Sequence, residues 1–177
     1  MIRLFAALPI PDDIAAALVR RQGGIENARW RPADSLHLTL RFFDDLREDV
    51  ARDLDTELLS VRAEPFDLVL EGAGAFSEEG EPRVIWAGVA ETPALTRLAK
   101  ACESAARRAG IRPEPRAFRP HVTLAYLRHA DPVQVAHWVQ ANNLLHSPPI
   151  RIDRFGLYSS RLGGEGPAYS LEAEYVF

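Results

Sequence analysis

The chain of 177 residues holds a single cysteine, Cys102, so it can form neither an internal disulfide nor a multi-cysteine metal cluster. That scarcity fits a reducing compartment. Long apolar runs are missing as well. The apolar start at 2–10 is too short, and too soon broken by Pro9 and Pro11, for a spanning helix or a secretory signal, so a cytoplasmic protein is expected. There is no large excess of charge. With 21 Lys+Arg against 25 Asp+Glu the net charge is -4, so the whole surface cannot release counterions along a nucleic acid, and any such contact must be local. Lysine is nearly absent too, since Lys100 is the only one among the 21 basic residues. Arginine here therefore reflects a bias in composition, and an arginine alone is a weak marker of a phosphate site. Nor does any Gly/Ser/Pro tract serve as a linker. What remains is 47% hydrophobic and 26% charged residues, the composition of one folded domain with a sizeable core.

Hydrophobic periodicity predicts a strand over 2–8, then a helix opened by Pro11, Asp12 and Asp13 and closed by Gly23 and Gly24. A second strand is expected over 36–43, a helix over 49–63, and a strand over 66–76 loosened by Gly72 and Gly74. After a polar turn at 77–82 the order recurs. Strand 83–90, helix 93–109 with Gly110 past its end, strand 121–127, helix 132–142, and strands over 150–159 and 168–177 follow. The chain reads as one unit written twice, a single domain of two lobes from sequence halves of about 1–78 and 82–177. Cys102 lies on the helical stripe Leu95, Leu98, Cys102, Ala105, Ala106 and Ala109, which predicts a buried, inert thiol.

Two tetrapeptides match at corresponding places, His37-Leu38-Thr39-Leu40 and His121-Val122-Thr123-Leu124. Random placement of this composition gives roughly 0.02 H-x-T-L matches, so two is far above motif noise. On a strand, residues i and i+2 project from one face, so each His points with its Thr while the aliphatic residues face helices. Two such strands about an approximate twofold would present two imidazoles and two hydroxyls to one cavity. In-line displacement at phosphorus needs a base on one side and an acid on the other, which two histidines supply. The threonines suit a phosphate's oxygens.

Paired H-x-T motifs in a chain of this size resemble the two-histidine phosphoesterase superfamily, and within it the RNA 2',3'-cyclic phosphodiesterase branch, also called 2'-5' RNA ligase. The opening 1–7, the approach Trp30 to Leu40, the strand 83–89, and the segments 118–125 and 157–162 extend the likeness over nearly the whole chain. The resemblance implies an α+β, bilobal, pseudo-twofold duplicated fold, two antiparallel sheets around a central groove with helices outside. It implies metal-independent hydrolysis of RNA 2',3'-cyclic phosphate ends to 2'-phosphates, reversible as 2'-5' ligation, with His37 as proton donor and His121 as acceptor. Two departures stand out. Phe43-Asp44-Asp45 occupies the place of a common Leu-Gly pair, and Tyr126 the place of a basic residue. Strand parity turns Tyr126 away from His121, and puts Arg41 with His37 and Thr39, and Arg119 with His121 and Thr123, as candidate phosphate or RNA ligands.

Other readings compete with this one. A zinc site at His37 and His121 lacks a third ligand, so neither metal nor cofactor is expected. His129, His137 and His146 have no partner motif and read as surface or packing residues. Trp30, Phe42, Trp86 and Tyr158 read as core aromatics. The expected partners are RNA ends or small nucleotides bearing a cyclic phosphate, with no membrane, and the expected state is a monomer. The alternatives in function are a catalytically silent RNA-end or nucleotide-binding module, and a phosphodiesterase acting on a small cyclic nucleotide or a 2'-5' linkage.

Overall fold

The computed structural model describes residues 1–163 and 166–177. Strand β1 (Ile2–Pro9) buries its apolar centre, and helix α1 (Asp12–Val19) follows Pro11, with Asp12 and Asp13 at its positive end. The helix stops before Gly23 and Gly24. Arg21 and Gln22 donate to Leu18 and Val19, three residues back, which tightens the last turn and ends the helix early. Short strand β2 (Ala28–Trp30), absent from the sequence expectation, comes next, then β3 (His37–Leu46) and α2 (Glu48–Leu58). The strand expected over 66–76 is two strands. β4 (Phe66–Leu68) leaves to pair with β8 (Ile150–Ile152), and β5 (Leu70–Glu78) stays in the main sheet. The expected polar turn narrows to Glu79 and Gly80, both at positive φ, so β5 and β6 (Glu81–Val89) form a tight hairpin.

Helix α3 (Pro93–Arg108) is capped by Thr92, whose hydroxyl accepts from the Leu95 amide, and Gly110 follows its end at positive φ. β7 (His121–Leu127) leads to α4 (Pro132–Asn142), capped by the Asp131 carboxylate. β9 (Arg154–Gly163) and β10 (Gly166–Val176) complete the chain. On α3 the stripe of Leu95, Leu98, Cys102, Ala105 and Ala106 is buried, and burial pushes the Cys102 thiol up to about 12, which makes it inert.

The fold is α+β. Its strands run in the order β10-β9-β1-β3-β7-β6-β5, all antiparallel, with β2 added beside β7. A single pair, Leu38 opposite Val122, joins β3 to β7. The sheet is thus two quartets, β10-β9-β1-β3 and β2-β7-β6-β5, hinged at one ladder rung. The quartets are not the two sequence halves. β9 and β10 return from the C-terminal half to pair with β1, while β2 and β5 cross to β7 and β6, so the halves interlock. Leu38, Leu40, Val122 and Leu124 lie in the core shared with α2 and α3, which leaves the opposite face of both motif strands to the groove. Among the described residues no helix is long and apolar enough to cross a membrane.

Candidate active site

The two motif strands repeat each other beyond the tetrapeptides. Residues 37–43 and 121–127 follow the same sequence of part-buried, buried and exposed positions. The reason is a β-bulge in the same place on each. Ala7 faces Thr39 and Ala6 faces Arg41, so Leu40 is the extra residue; Trp86 faces Thr123 and Ile85 faces Ala125, so Leu124 is the extra residue. Two consecutive side chains on each strand therefore turn to the core, and parity flips beyond the threonine. Extending the register from Leu38 opposite Val122 puts His37 across from Thr123, and Thr39 across from His121. His37 and His121 are then diagonal neighbours, about 7–8 Å apart in a regular ladder and wider where the rungs stop.

Both imidazoles are oriented by the backbone. His37 Nδ1 lies 2.8 Å from the Ser35 carbonyl oxygen, and His121 Nδ1 lies 2.7 Å from that of Arg119. A carbonyl only accepts, so each Nδ1 carries the hydrogen and each Nε2 is left for the groove. His37 packs on Phe5 at 4.8 Å and meets Tyr169 edge-on at 5.0 Å. His121 meets Phe76 edge-on at 4.8 Å. Burial in these surroundings holds the His37 pKa at about 4 against an ordinary 6.5, with further lowering by the charges of Arg31 and His121. Burial, and then the Arg119 charge, also lowers His121. Burial thus favours the neutral form of both rings.

Thr39 and Thr123 stand part-buried on the groove face with the histidines. Arg119 is exposed at the rim, its guanidinium over the Phe76 ring at 4.5 Å, so it and His121 share one aromatic neighbour. Arg41 is elsewhere. The bulge at Leu40 turns it to the core, where it pairs with Glu103 at 2.5 Å and Glu114 at 3.4 Å and donates to the Arg112 carbonyl. It lies on the opposite face from His37, which corrects the parity reading. The same flip brings Phe42 and Tyr126 to the groove side. Tyr126 is thus a neighbour of the site, with the Arg31 guanidinium 6.0 Å from its ring. Phe42 and Tyr158 pack about Phe5, and Trp86 against Phe76, in the groove walls, whereas Trp30 packs on Trp138 in the core. At the Leu-Gly departure, Asp44 takes the left-handed conformation that glycine adopts without strain, so β3 continues. Sequence reasoning missed Arg31 and Tyr169. Their approach joins the residue after β2 to β10, and no local pattern signals it.

Two histidines and two threonines on duplicated strands, converging on one groove between strand quartets, define a two-histidine phosphoesterase. The comparisons agree. A family model described as LigT like Phosphoesterase matches residues 8–86 and again 88–169, and the chain belongs to that family. The RNA 2',3'-cyclic phosphodiesterase of Archaeoglobus fulgidus is 30% identical over 171 residues, covering 95% of this chain and 96% of its own. Its counterpart in Thermus thermophilus is 32% identical over 185 residues, covering 96% and 87%. Escherichia coli LigT, solved with 3'-AMP, superposes with a TM-score of 0.78 at 25% identity, covering 99% of this chain and 98% of its own.

Proposed function

We propose that the protein hydrolyses RNA 2',3'-cyclic phosphate ends to 2'-phosphates by proton transfer between His37 and His121, without a metal ion. The observation that supports this reading is the pair of imidazoles on adjacent strands, on the face away from the core, each anchored through Nδ1 to a backbone carbonyl so that its Nε2 remains for substrate. His121 takes a proton from water as its oxygen attacks phosphorus; the bond from phosphorus to O3' breaks, and His37 gives its proton to O3'. Thr39 and Thr123 hydroxyls donate to the non-bridging oxygens, and Arg119 approaches from the rim. With the 5'-hydroxyl of an RNA in place of water, the same transfers join it to the cyclic end through a 2'-5' bond as P–O3' breaks, and run backwards they cleave that bond and re-form the cyclic phosphate. The low pKa of His37 fits a proton that arrives with the substrate: a phosphate anion between the rings raises both pKa values and offsets the Arg31 charge.

The test is a product assay on cyclic-phosphate RNAs and mononucleotides in excess EDTA. Turnover to 2'-phosphates that EDTA leaves unchanged is expected; 3'-phosphate products, or loss of activity with the chelator, would contradict the reading. Across pH, kcat/KM should form a bell whose maximum lies on the acid side of 6.5, where the free pair holds one proton. A monotonic profile is the contrary result. The relative kcat/KM over the panel ranks RNA ends against small nucleotides.

A further inference from the structure

The fold buries two arginines among its described residues, Arg31 and Arg41, and treats them differently. Arg41 answers its burial with two carboxylates and a carbonyl. Arg31, 5% exposed, has no carboxylate within ion-pair distance among the described residues. Its guanidinium donates to the Pro167 carbonyl at 3.3 Å and meets the Tyr169 hydroxyl, and it lies 5.5 Å from the Tyr169 ring and 6.0 Å from that of Tyr126, all of them neutral partners. Burying a charge is costly unless an opposite charge comes to it. A cation held on aromatic faces recovers only part of that cost.

The placement says where that charge belongs. The Arg31 amide donates to the Leu124 carbonyl at 2.8 Å, and Leu124 is the bulged residue that follows Thr123. The Arg31 carbonyl accepts from the Gln22 side chain at 2.8 Å, so the Arg31 backbone is pinned on both sides. From β7's edge the side chain crosses the groove to β10, where Tyr169 meets His37 edge-on at 5.0 Å. His37 and the Arg31 guanidinium thus share one aromatic ring, as His121 and Arg119 share Phe76 on the other side. The two arginines come from different loop positions, Arg31 just after β2 and Arg119 just before β7, yet each lies beside a ring that an imidazole also meets.

We propose that Arg31, held by Tyr126 and Tyr169, is a phosphate-binding residue of the site, its guanidinium donating to a non-bridging oxygen of the reacting phosphate on the His37 side. This rests on the proposed phosphodiester reading, so its test includes binding that needs no turnover. Inorganic phosphate is titrated into the wild type and into Arg31→Gln, followed by the imidazole resonances of His37 and His121, alongside kcat/KM on a 2',3'-cyclic mononucleotide. Replacing one charge-assisted donor pair should weaken phosphate binding by roughly 10- to 100-fold, with a parallel fall in kcat/KM and partial recovery in Arg31→Lys. Phosphate binding in Arg31→Gln within about threefold of the wild type would overturn the proposal. Should that variant fail to fold, the wild type decides. The Arg31 Nε–H resonance moves with phosphate at the same concentration as His37, or, if it stays still while His37 moves, Arg31 is only a tie across the groove. Inactivity of the wild type with phosphate binding intact would count against the reaction and leave the Arg31 result standing.

Discussion

His37→Ala and His121→Ala should each lower kcat by about 10²- to 10⁴-fold on a 2',3'-cyclic phosphate, while far-UV circular dichroism stays that of the wild type. The double variant should be little worse than either single one, because acid and base act in one displacement and losing either stalls it. Full activity in both single variants would end the two-imidazole account. The His37 variant should also change stability with pH, in a direction fixed by its burial. Its pKa is about 4 in the fold and near 6.5 unfolded, so between those values the unfolded chain binds the extra proton. The wild type therefore loses stability as pH falls from 6.5 to 4, by about 3 kcal/mol from this residue. His37→Ala lacks that loss, and its unfolding free energy should depend less on pH across the same window.

The second large effect separates two arginines that the sequence presented as equals. Arg41→Met should destabilise the fold by about 3 kcal/mol, because it strands Glu103 and Glu114 against the core face. Both carboxylates keep some contact with water, and Glu114 also pairs with Arg116, which holds the cost to the lower part of the range for broken buried pairs. At a temperature where the variant is folded, its kcat/KM should lie within a few-fold of the wild type. Arg119→Gln should do the reverse, lowering kcat/KM with the melting temperature unchanged. An Arg41→Met protein that is stable but inactive would restore it as a phosphate ligand and contradict the bulge argument.

Those two arginines also show how far a sequence can be read. His37, Thr39, His121 and Thr123 were legible because all four precede the bulges, where two-residue alternation holds. Arg41 and Tyr126 lie just beyond them, and the extra residue in each case is a leucine, which fits a regular strand as well as a bulge. Arg119 lies just before β7, outside the strand that parity assumes, and what brings it near His121 is their shared neighbour Phe76. The repeated order of elements foretold the α+β architecture and most helices, whose caps and glycine stops are local. Strand exchange between the quartets was not legible, since pairing partners far apart in sequence are chosen by packing. Arg31 and Tyr169 depend on that exchange: the Arg31 side chain finds its carbonyl partner 136 residues away. A single family resemblance carried the function further than periodicity could.

The central claim is that both imidazoles serve one phosphate, and an NMR titration of the wild type tests it most directly. Inorganic phosphate is added while the His37 and His121 ring resonances are followed over pH. The free protein should show both titrating below 6.5, His37 near 4, and phosphate should raise both, with shifts that saturate together at one dissociation constant. Movement of only one ring, or two rings saturating at different phosphate concentrations, would mean two separate sites and contradict the account.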